Sequence, residues 1–188
     1  MNNCSAIVLA GGFSSRMGRN KAELDFNGLS FLQHQVRKLQ NLDIEDIVIE
    51  GYENVPSGCR FVPDVYPHRG PLSGIHAGLL TIREARALVL AVDTPLIPMT
   101  LLADLIDSHN GGITVVSNKG EQEPLIGIYD KNIAPLCEEI LRGERSSVRR
   151  LLDVAGYRTL AYSADTNLLS GCNTPEEYAE IVRLSHVH

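Results

Sequence analysis

An α/β fold, a three-layer Rossmann-like sandwich with a mostly parallel central sheet, is what this sequence predicts. Two observations carry that expectation. Short apolar runs alternate with helical patterns along the whole chain. Glycine-rich or polar segments also follow directly after those runs, where ligands collect at the carboxyl ends of parallel strands.

The elements follow in order. Ala6–Ala10 is a short apolar run closed by Gly11 and Gly12, the pattern of a buried strand entering a loop. Residues 30–42 read as a helix, with Leu32, Val36, Leu39 and Leu42 on one face and Arg37, Lys38 and Gln40 elsewhere. Ile47–Ile49 is a second strand and Phe61–Val62 a third. Gly74–Leu80 is helical, and Ala87–Val92, the most apolar run, is the central strand. Thr100–His109 is a helix; Ile113–Val116 and Leu125–Tyr129 are strands. Asn132–Leu141 and Val148–Val154 are helices, and Thr159–Tyr162 is a strand. The last helix runs to about Leu184. It begins with Thr174 as N-cap, Pro175 at the first helical position and Glu177 completing a capping box.

Bulk composition bounds the function. A chain of 188 residues, 44% hydrophobic, supports one sizeable core and a single domain. A net charge of −6 argues against a nucleic-acid binder, which usually shows a basic face. Four dispersed cysteines, Cys4, Cys59, Cys137 and Cys172, form no CxxC pair, so thiols in a reducing cytosol are expected rather than disulfides or zinc. No signal-peptide pattern and no membrane-length apolar run is present. A cytoplasmic location and no membrane partner are expected.

The chemistry concentrates after the first strand. The segment Leu9–Lys21 (LAGGFSSRMGRNK) holds three glycines, two serines and the cations Arg16, Arg19 and Lys21. Glycines let a ligand approach the main chain, and successive free N–H groups make an anion-binding concavity. Three cations so close together in an acidic chain suit a polyphosphate. Spacing alone leaves a second reading, a tight surface turn with solvated charges. The loop is neither GxxxxGK[ST] nor GxGxxG. Asp93, directly after the central strand, stands at a carboxyl end, where a hard oxygen ligand suits Mg²⁺. Its alternative role is turn former or N-cap before Thr94-Pro95.

LAGGFSSRMGRNK resembles the LAGGxSxRMGxxK signature of glycosyltransferase-A-type nucleotidyltransferases, and looks closest to the molybdenum cofactor guanylyltransferases, the MobA family. The resemblance continues through Asp64 in FVPD, Gly70–Ile75 (GPLSGI), Asp93–Pro98 (DTPLIP), Leu141–Arg145 (LRGER) and Cys172–Glu177 (CNTPEE). It implies a Mg²⁺-dependent enzyme that transfers GMP from GTP to the terminal phosphate of the molybdopterin-molybdenum cofactor, giving the guanine dinucleotide form and pyrophosphate. It implies catalytic roles for Arg16, Lys21 and Asp93. Nucleotide contacts would come from Leu9, Ala10, Gly11, Gly12, Lys21, Glu50, Asp64 and Asp93, and metal contacts from Asp93 and Asn173.

The sequence departs from the family in two places. Glu50 stands where the family often has asparagine beside the base, and Gly171 where it often has the first asparagine of N-x-N-T-P. A carboxylate at Glu50 can accept hydrogen bonds from a guanine edge or point to solvent. His76 reads as a packed histidine and Arg69 as a solvated surface arginine. The nucleotide is expected on the first half, about 1–110, and the acceptor on the second, about 111–188, with Pro124 and the strand after it as acceptor candidates. Two alternatives accompany this reading. One is a molybdopterin cytidylyltransferase or another sugar or alcohol nucleotidyltransferase. The other is a non-catalytic nucleotide-binding partner of molybdoenzymes. Transient contact with other cofactor-biosynthesis proteins or molybdoenzymes is expected beside the two substrates.

Overall fold

The computed structural model describes residues 3–11, 13, 14, 19–163 and 168–185, with residues 13, 14 and 19 described by their backbone alone. Seven strands form the main sheet: β1 (Ser5–Leu9), β2 (Ile47–Glu50), β3 (Cys59–Val62), β4 (Arg86–Ala91), β5 (Ile113–Asn118), β6 (Glu121–Asp130) and β7 (Arg158–Tyr162). Their order is β7-β5-β6-β4-β1-β2-β3, which puts the most apolar run, β4, in the centre as its composition predicts. β6 alone runs against the other six. The helices are α1 (Phe31–Gln40), α2 (Pro71–Thr81), α3 (Met99–Ser108), α4 (Ala134–Arg142), α5 (Val148–Ala155) and α6 (Pro175–Ser185).

The three layers follow from the period-2 alternation of strand side chains. Ala6 and Val8 of β1 join α1, α3 and α6 in one core. Ile7 and Leu9, one residue out of phase, join α2, α4 and α5 in the other. Each helix lays an apolar stripe on the sheet: Phe31, Leu32, Val36 and Leu39 from α1, and Leu101, Leu102, Leu105 and Ile106 from α3. The capping box of α6 forms, with Glu177 N donating to Thr174 Oγ1 (3.2 Å) and Thr174 N to Glu177 Oε2 (3.0 Å). α1 has an equivalent box between Ser30 and Gln33.

Two departures from the sequence pattern matter. Strand and helix do not alternate throughout: no helix separates β2 from β3, and β5 and β6 are joined directly as a hairpin. Lys119 and Gly120, with φ of 52° and 88°, make the tight left-handed turn such hairpins favour. Along β6 the register to β5 shifts between Glu123 and Gly127, so the intervening residues bulge out of the ladder. In addition, Lys38, expected on the polar side of α1, is 6% exposed. Among the described residues, no helix is long and apolar enough to cross a membrane.

Candidate active site

The chain leaves β1 and returns on opposite sides: through α1 to β2, and through α2 to β4. This reversal makes the carboxyl ends of β1 and β4 the place where a crevice opens. A cavity of about 700 Å³ lies there, lined by Leu9, Gly11, Lys21, Glu50, Asp64 and Asp93, and also by Gly51, His68 and Leu125.

One wall is made of paired opposite charges. The backbone segments at Phe13–Ser14 and Arg19–Asn20 pair antiparallel directly ahead of Lys21, which lines the crevice. Lys21 Nζ donates to Asp93 Oδ2 at 2.5 Å and to Asn173 Oδ1 at 2.7 Å. Three residues from three distant parts of the chain thus meet at one point. Asp93 is held through its backbone, with Cys172 N donating to its carbonyl at 2.9 Å. Asn173 is held by Glu177, whose Oε2 accepts from Asn173 N at 2.6 Å. Gly171 packs closely against the same carboxylate: a Cβ there would lie 3.2 Å from Asp93 Oδ2. Asp93 is no helix cap, because α3 starts six residues later behind Pro98. The neighbouring Cys172 is buried, which pushes its thiol up to about 11 against the pull of Lys21, so it stays protonated and non-nucleophilic.

The opposite wall gathers like charges. Glu50 closes β2 and points inward, 7% exposed, so the solvent-facing alternative does not hold. Its carboxylate is wedged among three glycines. A Cβ on Gly11 would lie 2.9 Å from Glu50 Oε1, and one on Gly74 2.7 Å from Oε2. Gly51, at φ 77°, completes the floor, and a Cβ there would sit 2.2 Å from Gly11 Cα. Burial, aided by the nearby Asp64 charge and opposed by the Gly11 amide, pushes Glu50 up to about 7. Asp64 accepts from Tyr66 N at 3.1 Å and from the Ser73 hydroxyl, which ties the β3 exit to the first turn of α2.

The rim from Asp64 to Gly70 is anchored from outside. Arg69 is neither solvated nor turned to the crevice. Its Nη2 donates to Leu141 O (2.6 Å) and to Gly143 O, capping the carbonyl end of α4. Tyr66 OH reaches Glu138 Oε1 at 3.1 Å. His68 takes a left-handed φ of 65° at the cavity edge. His76 is buried inside α2 with burial lowering its pKa, a packed neutral histidine. From the far half of the chain, Leu125 enters the cavity at the β6 bulge. Tyr129 OH holds that bulge by donating to Pro124 O at 2.6 Å.

Most of the residues singled out in the sequence therefore share this crevice. Ala10 is buried behind the floor, its N–H donating to Glu50 O at 2.9 Å. Gly12 and Arg16 lie outside the described residues. Of the residues the fold adds, Gly51 carries no motif of its own, whereas Leu125 belongs to the strand after Pro124 and Glu177 to the capping box of α6, both already read in the sequence. A glycine directly after a strand-end glutamate was the one available signal.

Can such a wall hold a divalent cation? Asp93 Oδ2 and Asn173 Oδ1 are hard oxygen donors that converge on a single positive atom, Lys21 Nζ. Among the described residues, no three His, Cys, Asp or Glu side chains gather as a ready-made cage. One carboxylate, one amide oxygen and an open cavity suit Mg²⁺, which completes its shell with phosphate and water.

Residues 6–160 match the family model described as the MobA-like NTP transferase domain. The chain is 29% identical to a protein of Carboxydothermus hydrogenoformans named probable molybdenum cofactor guanylyltransferase, over 98% of both chains. It is 34% identical to one of the same name from Pelotomaculum thermopropionicum, over 89% of this chain and 82% of the other. Among solved structures, it shares the fold of molybdopterin-guanine dinucleotide biosynthesis protein A from Archaeoglobus fulgidus (19% identity, TM-score 0.78, covering 98% and 100% of the two chains). It also shares that of 4-diphosphocytidyl-2C-methyl-D-erythritol synthase from Anaerococcus prevotii (13% identity, TM-score 0.76, covering 97% and 96%). With the family model spanning most of the chain and a crevice placed where such a fold binds nucleotide, the chain belongs to the MobA-like NTP transferase family and is a nucleotidyltransferase.

Proposed function

We propose that this nucleotidyltransferase moves GMP from GTP to the terminal phosphate of the molybdopterin-molybdenum cofactor. The observation that carries this reading is the meeting of Lys21 with Asp93, both lining a cavity at the β1–β4 switch point, and with Asn173 beside them. The names of the full-length relatives supply the substrates.

In the reaction, an oxygen of the acceptor phosphate forms a bond to the α-phosphorus of GTP. The bond from that phosphorus to the β-phosphate bridging oxygen breaks, and pyrophosphate leaves with the electron pair. A phosphate monoester has its second pKa near about 6, so its oxygen attacks without a dedicated base. The barrier is electrostatic, since one anion approaches another, and positioning and charge neutralisation lower it. Asp93 and Asn173 would hold Mg²⁺, which supplies charge neutralisation on the phosphates. Lys21, released from Asp93 when the nucleotide arrives, turns its ammonium to the α-phosphate and the departing pyrophosphate. By the resemblance, Gly11 and Gly12 would supply main-chain contacts to the phosphates and Arg16 a second cation. Glu50 and Asp64 face the nucleoside end, where Glu50 in either protonation state meets hydrogen-bonding groups of the base. Leu125 and the β6 bulge border the acceptor. The four cysteines, free in the structure, suit a reducing cytoplasm.

The test is turnover with GTP, CTP, ATP and UTP in parallel, read as pyrophosphate release in the presence of the molybdenum-loaded acceptor. GTP is expected to be preferred. Preference for CTP would move the assignment to the cytidylyl branch, whose fold is shared. GTP binding with no pyrophosphate from any nucleotide would make the chain a binding partner rather than an enzyme.

A further inference from the structure

α1 presents three polar side chains, on adjacent turns, to the segment that follows β4. Lys38 Nζ donates to Pro95 O and to Ile97 O, each at 2.8 Å. Gln35 Nε2 donates to Ala91 O at 3.2 Å and to Thr94 O at 3.0 Å. His34 Nε2 meets Pro95 O at 3.1 Å. Four carbonyls of residues 91–97 are therefore held from one helix face, and Asp93 lies between two of them.

This arrangement is costly for stability. Lys38 is 6% exposed and its acceptors are neutral carbonyls, so burial pushes its ammonium down to about 7. Burying a cation without a counter-ion is unfavourable, and an apolar side chain of the same length would avoid that cost. The Gln35 side chain likewise leaves its Oε1 buried and unpartnered. The contacts are thus better explained by what they hold than by what they contribute to stability. What they hold is a loop that must keep one carboxylate fixed against an adjacent ammonium, 2.5 Å away.

We propose that Lys38 and Gln35 are positioning residues, which clamp the carbonyls on both sides of Asp93 so that its carboxylate stays aimed into the nucleotide cavity. This rests on the proposed role of Asp93 as metal ligand. Partners that orient a metal ligand typically change metal affinity by about 10–100-fold when removed.

The experiment is Mn²⁺ binding, followed by electron paramagnetic resonance in the presence of GTP, alongside melting temperature, for the full chain and for Lys38→Met and Gln35→Leu. Expected for Lys38→Met is a melting temperature equal to or above that of the wild type, with Mn²⁺ affinity about tenfold weaker. Gln35→Leu should weaken Mn²⁺ binding in the same direction. Unchanged Mn²⁺ affinity in both variants overturns the clamp. A loss of affinity that appears only with a matching fall in melting temperature also overturns it, since the side chains would then be mere packing. Absence of Mn²⁺ binding by the wild type overturns the metal-site reading itself and the clamp with it, whereas wild-type binding with indifferent variants overturns the clamp alone.

Discussion

The two walls of the cavity solve the same problem in different ways. Lys21 and Asp93, with side chains 13% and 17% exposed, neutralise one another and share Asn173 as a third partner. Glu50, more deeply buried and near Asp64, has no cation beside it among the described residues, and burial pushes its pKa up to about 7. Pairing leaves a wall ready to exchange its ammonium for a divalent ion and phosphates. The raised Glu50 pKa leaves a wall less negative than two free carboxylates would make it, better suited to hydrogen-bonding a base than to holding a polyanion. The contrast supports the proposed placement of the phosphates at one end of the cavity and the nucleoside at the other.

The largest expected effect is on the paired wall. Asp93→Ala should reduce pyrophosphate release to background and abolish its dependence on divalent metal, read in a metal titration of the rate. If the variant keeps near wild-type turnover, the pairing is incidental.

Lys21→Met sharpens the comparison, because it should act in two directions. Turnover is expected to fall by about 10²-fold, as for loss of one charge-stabilising donor. Mn²⁺ affinity of the nucleotide-free protein should rise by about tenfold or more, because a competing cation has been removed from Asp93. Weaker Mn²⁺ binding would mean that Lys21 builds the metal site instead of competing for it.

Next comes the floor that joins the walls. Gly51→Ala sets a methyl 2.2 Å from Gly11 Cα at φ 77°, where backbone has no room to yield. Strain of about 1–3 kcal/mol from the torsion alone, plus the clash, should lower the melting temperature by several degrees or more. A fully stable variant would show that the floor is loose.

Smallest is the effect at Glu50, which shows in the pH profile of stability. Its pKa rises on folding, from the ordinary 4.5 to about 7. The folded chain therefore binds more protons than the unfolded one between those values, and this group's contribution to stability falls as pH rises through them. Glu50→Gln should remove that slope and raise the melting temperature at pH 8, by about 2–4 °C for each kcal/mol recovered. Base selectivity in the four-nucleotide assay should narrow in the same variant. If the slope persists, the proton is held elsewhere.

Much of this was legible before any coordinates. Apolar runs five or six residues long, each followed by glycine or aspartate, announce buried strands with functional exits, and β1 and β4 fall where those runs lie. Thr174-Pro175-Glu176-Glu177 announces a helix start, because its cap is closed by residues three apart. Other features escaped the same reading. Lys38 looks like any surface lysine, since the loop that burdens it with carbonyls is more than fifty positions away. β5 and β6 read as strands but too short, ending at Val116 and starting at Leu125, because their turn rests on two left-handed residues, one of them lysine. Arg69 looked solvated because its acceptors are backbone carbonyls, which have no sequence signature.

The division has a physical cause. Local chemistry, meaning strand and helix periods, caps and the glycine-rich loop, is written in neighbouring residues, so the chain alone determined its fold class and the residues that approach the crevice. Distances between residues 21, 93 and 173, the burial that raises the Glu50 pKa, and the clamp on the Asp93 loop depend on which segments the sheet order brings together. Those were decided only when side chains far apart in sequence competed for the same space and the same few partners out of water.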